Sequence, residues 1–241
     1  MSIVAILPAA GLGTRMGADA PKQFRLLDGV PVVVFTLRRL AASPLISSFL
    51  IATRADEVEP LSQRIAAERL PRPFRVLAGG DTRQESVAKA LAGVPADAAW
   101  ILVHDAVRPL VTHDQVERVI AEARRCRAAI LGIPAMDTVK EVKRTSLPED
   151  VALITATVPR ERVVLAQTPQ VFEAGLLREA FARAAVDGFA ASDEASLIER
   201  LGHDVHVVLG SERNLKITRP GDLEIAEFYL SRERMAAEVG R

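Results

Sequence analysis

The chain alternates short apolar runs with longer segments whose apolar residues recur at helical spacing. The short runs are rich in Ile, Val and Leu and lack strict alternation with polar residues, which is typical of strands buried on both faces of a sheet. They predict strands at residues 3–8, 48–53, 74–77, 100–104, 129–134 and 205–209. The alternation favours an α/β fold of Rossmann-like type, with a mostly parallel sheet and helices on both faces.

Helical spacing predicts helices at residues 31–42, 56–69, 82–91, 113–125, 175–186, 193–201 and 221–235. Several of these segments begin with residues that suit a helix start. Pro31 fits a first helical position, Thr112 can cap the helix that follows it, and Asp222 falls in a first turn. Ser192 precedes two acidic residues and is a further candidate for a helix start.

Residues 137–160 interrupt the alternation. Two polar runs that contain Thr and Val, DTVKEVKR and VALITATVPR, are joined by the turn-like SLPED, which predicts a long hairpin or arm. The chain has no internal repeat, low-complexity tract or linker, so residues 1–241 are predicted to form one domain that carries this arm. A two-stranded hairpin is marginally stable in water, and we expect it to dock on another surface: a partner subunit, or alternatively its own sheet.

Composition narrows the classes of partner. The chain has 241 residues, of which 49% are hydrophobic and 26% charged, the balance of an ordinary globular protein. Lys+Arg and Asp+Glu both total 31, so there is no net positive charge and we do not expect nucleic acid as a partner. No apolar run approaches 18 residues, so we do not expect the chain to span a membrane. A single cysteine, Cys126, and a start at Met1 without a basic segment and long apolar core predict a cytoplasmic location.

The first predicted strand runs directly into the segment PAAGLGTRMGADAPKQF, residues 8–24. Its glycines allow the backbone to approach a ligand closely, and amide groups in such a loop can bind phosphate oxygens. Two known phosphate-loop patterns do not fit, because Met16 stands where the dinucleotide fingerprint needs Gly and no Gly-Lys-Ser/Thr follows. The segment is therefore a glycine-rich turn of another kind.

Basic residues in this chain are mostly arginine, and only five of the 31 are lysine. The lysines are Lys22, Lys89, Lys140, Lys143 and Lys216. Because a compact ammonium and a planar guanidinium meet oxyanions differently, Lys22 and Lys216 are candidates for phosphate contacts. Arg15 and Lys22 follow the first strand at the sheet edge where α/β proteins bind ligands, although a structural loop with exposed basic residues is the alternative.

Other chemistries find less support. His203 and His206 lie three apart in a strand-like stretch and face opposite sides, and His104 and His113 have no partner at metal-ligand spacing, so no zinc site is predicted. No nucleophile-elbow motif indicates a covalent intermediate. Cys126 is interpreted as a small core or boundary residue.

Motifs spread over nearly the whole chain carry a family resemblance. They are PAAGLGTRM with PKQF, AGGDTRQESV, VHDAVRP, MDTVK, TVPR, QTPQVF, SDEAS and NLKITRPGDL. In this order they resemble the sugar-phosphate nucleotidyltransferases and, more narrowly, the 2-C-methyl-D-erythritol 4-phosphate cytidylyltransferase family. That resemblance implies transfer of a cytidylyl group from CTP to the polyol phosphate in non-mevalonate isoprenoid synthesis.

The resemblance also implies roles for particular residues. Nucleotide contacts are implied for Ala9, Ala10, Gly11, Gly13, Arg15, Lys22, Gly80, Asp81, Ser86 and Lys216. Contacts to the polyol phosphate are implied for Asp105, Arg108, Thr138, Arg160, Thr168, Ser192 and Lys216. The catalytic cations would be Arg15, Lys22, Arg160 and Lys216.

From the residues alone, some of these positions have other interpretations. A helix start at Asp81 or Thr82 explains that loop equally well, and Ser192 is a good helix start by itself. Asp105 and Arg108 can simply pair with each other. The family implies Mg²⁺ or another divalent cation on the CTP, with no ligating residue assigned, and a homodimer formed through the 137–160 arm. The alternatives are a cytidylyltransferase for ribitol 5-phosphate or another polyol phosphate, and a non-catalytic nucleotide-binding regulator.

Overall fold

A seven-stranded sheet runs through the computed structural model, which describes residues 2–11, 21–143 and 151–239. In spatial order its strands are β11 (His206–Leu209), β7 (Ala128–Pro134), β10 (Val164–Glu173), β6 (Trp100–Val103), β1 (Ile3–Pro8), β4 (Ser48–Thr53) and β5 (Phe74–Ala78). Strand β10 runs antiparallel between β6 and β7, and the other described pairings in this sheet are parallel. The predicted mostly parallel sheet is confirmed.

The described helices agree closely with the predicted ones. They are α1 (Val32–Ala41), α2 (Val58–Ala67), α3 (Arg83–Ala92), α4 (His113–Cys126), α5 (Ala174–Asp187), α6 (Glu194–Arg200) and α7 (Pro220–Val239). Thr112 caps α4 as predicted, with its hydroxyl accepting from the backbone N–H of Gln115. Pro31 occupies the cap position of α1 rather than the first helical position. In the described parts of the chain, no helix is both long and apolar enough to cross a membrane.

Strand β1 shows why helices cover both faces of the sheet. Its side chains alternate in direction, as in any strand. Ile3, Ala5 and Leu7 pack in one buried cluster with α1, α2 and α4. Val4 and Ile6 pack in a second cluster with α3, α5 and α6. Burial on both sides explains why the strand reads as one continuous apolar run.

Strand β10 was not predicted, because polar residues interrupt its apolar pattern. Gln167, Thr168 and Gln170 are nevertheless buried. Their side chains bond the loops beside the strand: Gln167 Nε2 donates to the Ser211 carbonyl at 2.8 Å, and Gln170 Nε2 donates to Asp193 Oδ2 at 2.8 Å. Buried polar groups need such partners, so these residues hold loops in place instead of filling a hydrophobic core.

The predicted hairpin is present. Strand β8 (Val139–Lys143) pairs antiparallel with β9 (Leu153–Val158), starting from Val139 opposite Val158. The connection at 144–150 lies outside the described residues. Smaller strands β2 (Leu26–Leu27) and β3 (Val30–Pro31) form a separate ribbon before α1.

Candidate active site

One pocket lies where β1 and β6 end. These parallel strands are neighbours, with Ile6 opposite Val103, so the residues that follow them meet at one sheet edge. The pocket is lined by Pro8, Ala9, Ala10, Gly11, Lys22, Gln23, Gly80, Asp81, Thr82, Arg83, Ser86, Asp105, Ala106, Val107 and Lys216. The structure thus brings together most of the predicted nucleotide contacts, while Gly13 and Arg15 lie outside the described residues.

A buried glutamine fixes the position of Lys22. Residues Lys22–Phe24 form a 3-10 turn, and the side chain of Gln23 is buried beneath it. Gln23 Nε2 donates a 2.7 Å hydrogen bond to the carbonyl of Ala9, directly after β1. The turn is therefore tied to the pocket edge through Gln23, which leaves the Lys22 side chain among the lining residues.

The loop before α3 packs closely against the end of β1. A Cβ atom at Gly79 would lie 2.8 Å from both the Ala10 Cβ and the Ser86 Oγ, closer than real Cβ atoms come. The Gly80 N–H donates to Ser86 Oγ at 3.1 Å. Thr82 caps α3 in a capping box with Glu85, so the helix-start interpretation of this loop is confirmed. Asp81, which precedes the cap, is exposed and lines the pocket.

Asp105 is the centre of the charged groups in this pocket. Its Oδ1 accepts from Arg83 Nε at 3.1 Å. Its Oδ2 lies 2.9 Å from Lys216 Nζ and 3.3 Å from Arg108 Nε. Burial by itself would raise the pKa of Asp105, but the three cations more than offset it and hold the pKa well below its usual range. Asp105 is therefore ionised at neutral pH.

Arg83 joins this centre to a second carboxylate that the sequence analysis did not identify. Arg83 Nη1 bonds Glu194 Oε1 at 2.7 Å, and the Glu194 side chain is only 2% exposed. Burial raises the pKa of Glu194, and Arg83 opposes that shift. Arg83, Arg108 and Lys216 supply three positive charges, and Asp105 and Glu194 supply two negative charges. The net positive charge of this cluster favours an anionic ligand.

Thr168 lies behind Asp105 in a chain of hydrogen bonds. The Asp105 backbone N–H donates to Thr168 Oγ1 at 3.0 Å. His104 Nε2 is 3.1 Å from the Arg108 carbonyl, which can only accept, so Nε2 carries the proton and Nδ1 accepts from the Thr168 hydroxyl at 3.0 Å. The Thr168 hydroxyl thus positions the loop that carries Asp105.

The segment that carries Lys216 is fixed from both sides. Arg108 Nη1 donates to the Asn214 carbonyl at 2.7 Å, and Asn214 Nδ2 donates to the Thr168 carbonyl at 2.8 Å. The Ile217 N–H then donates to the Val107 carbonyl at 2.9 Å. Arg108 is buried and does not line the pocket among the described residues, so the geometry gives it a supporting position.

Three predicted substrate contacts lie apart from these groups. Thr138 and Arg160 are exposed at the base of the hairpin, where Arg160 Nη1 donates to the Met136 carbonyl at 2.9 Å. Ser192 is also exposed, and Asp193 rather than Ser192 caps α6 by accepting from the Ser196 N–H. None of these three lines the pocket formed by the described residues.

Comparison with known proteins identifies the family of the chain. The profile of the IspD family, 2-C-methyl-D-erythritol 4-phosphate cytidylyltransferase, matches residues 3–232. The chain belongs to this family. A protein of that name from Acidobacterium capsulatum is 52% identical over 236 residues, covering 95% of this chain and 98% of the relative. Its counterpart from Solibacter usitatus is 46% identical over 240 residues, covering 97% of each.

Solved structures give the same result for the fold. The crystal structure of 2-C-methyl-D-erythritol 4-phosphate cytidylyltransferase from Thermus thermophilus superposes with a TM-score of 0.77 at 36% identity, covering 96% of this chain and all of that one. The 4-diphosphocytidyl-2C-methyl-D-erythritol synthase from Anaerococcus prevotii reaches a TM-score of 0.81 at 28% identity, covering 95% of this chain and 98% of that one. The α/β fold is confirmed over nearly the whole IspD-family chain.

Replacement of Arg83 by methionine is expected to lower the free energy of unfolding by about 3 kcal/mol, because it leaves the Glu194 carboxylate buried without its cation. The double variant Arg83→Met with Glu194→Met should recover most of that loss, since it removes the uncompensated charge. Urea unfolding of the two variants and of Glu194→Met alone measures the effect. A double variant no more stable than Arg83→Met would contradict this account.

The pH dependence of stability is expected to carry a contribution from His104. Burial lowers the pKa of His104 to about 4, whereas an unfolded chain protonates histidine near pH 6.5. The unfolded state therefore binds the additional proton as the pH falls through that interval, and up to about 3 kcal/mol of stability is lost by pH 4. Urea unfolding from pH 7 to pH 4 should show a shallower decline in His104→Gln than in wild type. His203→Gln is the control and should keep the wild-type slope.

Proposed function

We propose that this protein transfers the cytidylyl group of CTP to 2-C-methyl-D-erythritol 4-phosphate, giving the CDP-linked alcohol and pyrophosphate in non-mevalonate isoprenoid precursor synthesis. The observation that carries the proposal is the cationic pocket at the ends of β1 and β6 in a chain of the IspD family. Lys22 and Lys216 both line it, as the phosphate chemistry requires.

The reaction is an in-line displacement at the α-phosphorus. An oxygen of the polyol phosphate forms the new P–O bond, the bond to the β-phosphate oxygen breaks, and pyrophosphate leaves with the bonding electrons. Negative charge on the phosphoryl oxygens is stabilised by fixed cations rather than by covalent catalysis. Lys22, Lys216 and Arg15 supply these cations. Asp105 holds Lys216 in position through their ion pair, and Arg83 holds Asp105.

The same pocket suits a nucleoside with a metal-bound triphosphate. The Gly79–Ser86 loop offers backbone groups and the Asp81 carboxylate for the cytosine and ribose. Asp81 and Asp105 are the carboxylates among the described lining residues, and Asp105 is already bonded to three cations. Mg²⁺ typically binds one or two carboxylates together with substrate phosphates, so this donor set fits an ion carried mainly by the CTP phosphates.

The polyol phosphate is proposed to bind between two subunits of a homodimer. Thr138 and Arg160 are exposed at the base of the arm and outside their own chain's pocket, so they are available to a neighbouring one. The arm exposes Val142, Leu153 and Ile154, each about half accessible. On the nearby sheet Val164 and Val207 flank Gly132 so closely that a Cβ at Gly132 would lie 2.4 and 2.9 Å from their Cγ1 atoms. Val164 and Val207 are themselves about half exposed. These apolar side chains give a partner subunit a surface to cover.

Pyrophosphate release from purified protein with CTP, Mg²⁺ and 2-C-methyl-D-erythritol 4-phosphate tests the activity. No release would overturn the proposal, and CTP binding without turnover would instead identify a nucleotide-binding regulator. A faster rate with ribitol 5-phosphate would assign the alternative substrate. The cytoplasmic location stays a prediction that rests on the single cysteine.

A further inference from the structure

Three side chains with different donor atoms converge at one edge of the sheet. Glu122 and Cys126 lie on α4, and His206 is the first residue of β11. A carboxylate oxygen, the thiol sulfur and an imidazole nitrogen all lie within 4.8 Å of one another. His206 Nδ1 is already 2.7 Å from Glu122 Oε1. None of the three residues lines the pocket described above.

The fold explains why residues far apart in sequence meet here. Glu122 and Cys126 are four residues apart, so they share one face of α4. The helix ends at Cys126 and leads through Arg127 into β7, and β11 pairs parallel with β7, placing His206 opposite Ala129. The spacing of the histidines in the sequence did not predict this cluster, because only the β11–β7 pairing brings His206 to the helix.

Charge and accessibility both suit an ion. The side chains of His206 and Glu122 are 49% and 25% exposed, so a cation can enter and keep water as a further ligand. A thiolate and a carboxylate together neutralise a divalent charge. Cys126 Sγ lies 3.1 Å from the carbonyls of Glu122 and Ala128, and its proton satisfies one of them at a time. Arg125 Nη1, 3.4 Å from Glu122 Oε2, is a cation that a bound metal would compete with.

We propose that Glu122, Cys126 and His206 form a binding site for a thiophilic divalent cation, with Zn²⁺ as the best-matched ion. Zinc accepts sulfur, nitrogen and oxygen donors in one tetrahedral shell, and three protein ligands plus water complete it. Mg²⁺ requires oxygen ligands and is not expected here. Binding releases the thiol proton to solvent and replaces the hydrogen bond between His206 and Glu122. The ion would join the C-terminal end of α4 to the edge strand β11 and stabilise both.

Cobalt titration of the chelator-treated full chain tests the site, because Co²⁺ substitutes for zinc and its bond to a thiolate gives a charge-transfer absorption. We expect one equivalent to bind per chain with that absorption, and Zn²⁺ but not excess Mg²⁺ to displace it. Cys126→Ser should abolish the band, and His206→Ala and Glu122→Gln should each weaken binding about tenfold or more. His203→Ala is the matched control and should bind as wild type does.

Thermal unfolding supplies a second measurement. Zn²⁺ should raise the unfolding temperature of wild type but not of Cys126→Ser, while the metal-free proteins unfold at similar temperatures because the exchanged atoms are close in size. Absence of the thiolate band would overturn the proposal. A thiolate band that appears with unchanged cobalt affinity in His206→Ala and Glu122→Gln would also overturn it, since the metal would then bind to a lone thiol. Zinc binding by Cys126→Ser equal to that of wild type would overturn it too.

Discussion

Replacement of Lys22 by alanine is expected to lower turnover by a factor of about 10² or more, equivalent to a few kcal/mol of transition-state stabilisation. Lys22 lines the same pocket as Asp105 and Lys216, where the charge of a transferring phosphoryl group would develop. The fold should survive, because the hydrogen bond from Gln23 to the Ala9 carbonyl, which holds the turn, is kept in the variant. Steady-state pyrophosphate release with saturating CTP measures the change, and circular dichroism measures folding.

Two other variants make this result specific. Lys89→Ala removes another of the five lysines. Lys89 is not among the described residues that line the pocket, and its Nζ donates to the Gly79 carbonyl at 2.7 Å, so this variant should change turnover by a few-fold at most. Lys22→Arg keeps the charge but replaces a compact ammonium with a wider fork, so it should recover only part of the activity. Near-normal turnover in Lys22→Ala would show that the cation is not used in catalysis.

The helices and parallel strands were predictable from sequence because burial imposes a simple pattern on them. Strand β1 is apolar on both faces and α4 has regular helical spacing, so each can be recognised without its neighbours. Strand β10 could not be recognised in this way. Its buried Gln167, Thr168 and Gln170 are satisfied by groups distant in sequence, and a local pattern carries no information about such partners.

The residues of the candidate site also differ in whether a local sequence pattern could predict them. Asp105, Lys22 and Lys216 were predictable, because they follow strand ends or fall within family motifs. Arg83 and Glu194 lie within the motifs DTRQESV and SDEAS, yet their pairing depends on the fold bringing the first residues of α3 and α6 together. Both residue types are common on helix surfaces, so only burial identifies this pair as part of the site.

Mixing inactive Lys22→Ala protein with inactive Arg160→Ala protein is expected to restore activity. If the arm of one subunit completes the pocket of the other, a mixed dimer pairs the intact pocket of the Arg160→Ala chain with the intact arm of the Lys22→Ala chain. Random assortment makes half of the dimers mixed, each with one intact site of two, so an equal mixture should reach up to about a quarter of wild-type activity. Pyrophosphate release after subunit exchange measures it.

The shared-site arrangement depends on Arg160 acting away from its own pocket, and the exposed position of Arg160 beside Met136 makes that geometry available. If the arm instead folded over its own sheet, each site would be built from one chain and would carry either the Lys22→Ala or the Arg160→Ala substitution. Every site in the mixture would then stay defective. Exchange must therefore be measured independently, by mixing tagged and untagged wild-type chains and recovering them together. If the subunits exchange and no activity returns, Arg160 serves its own subunit or none, and the arm does not complete a partner's site.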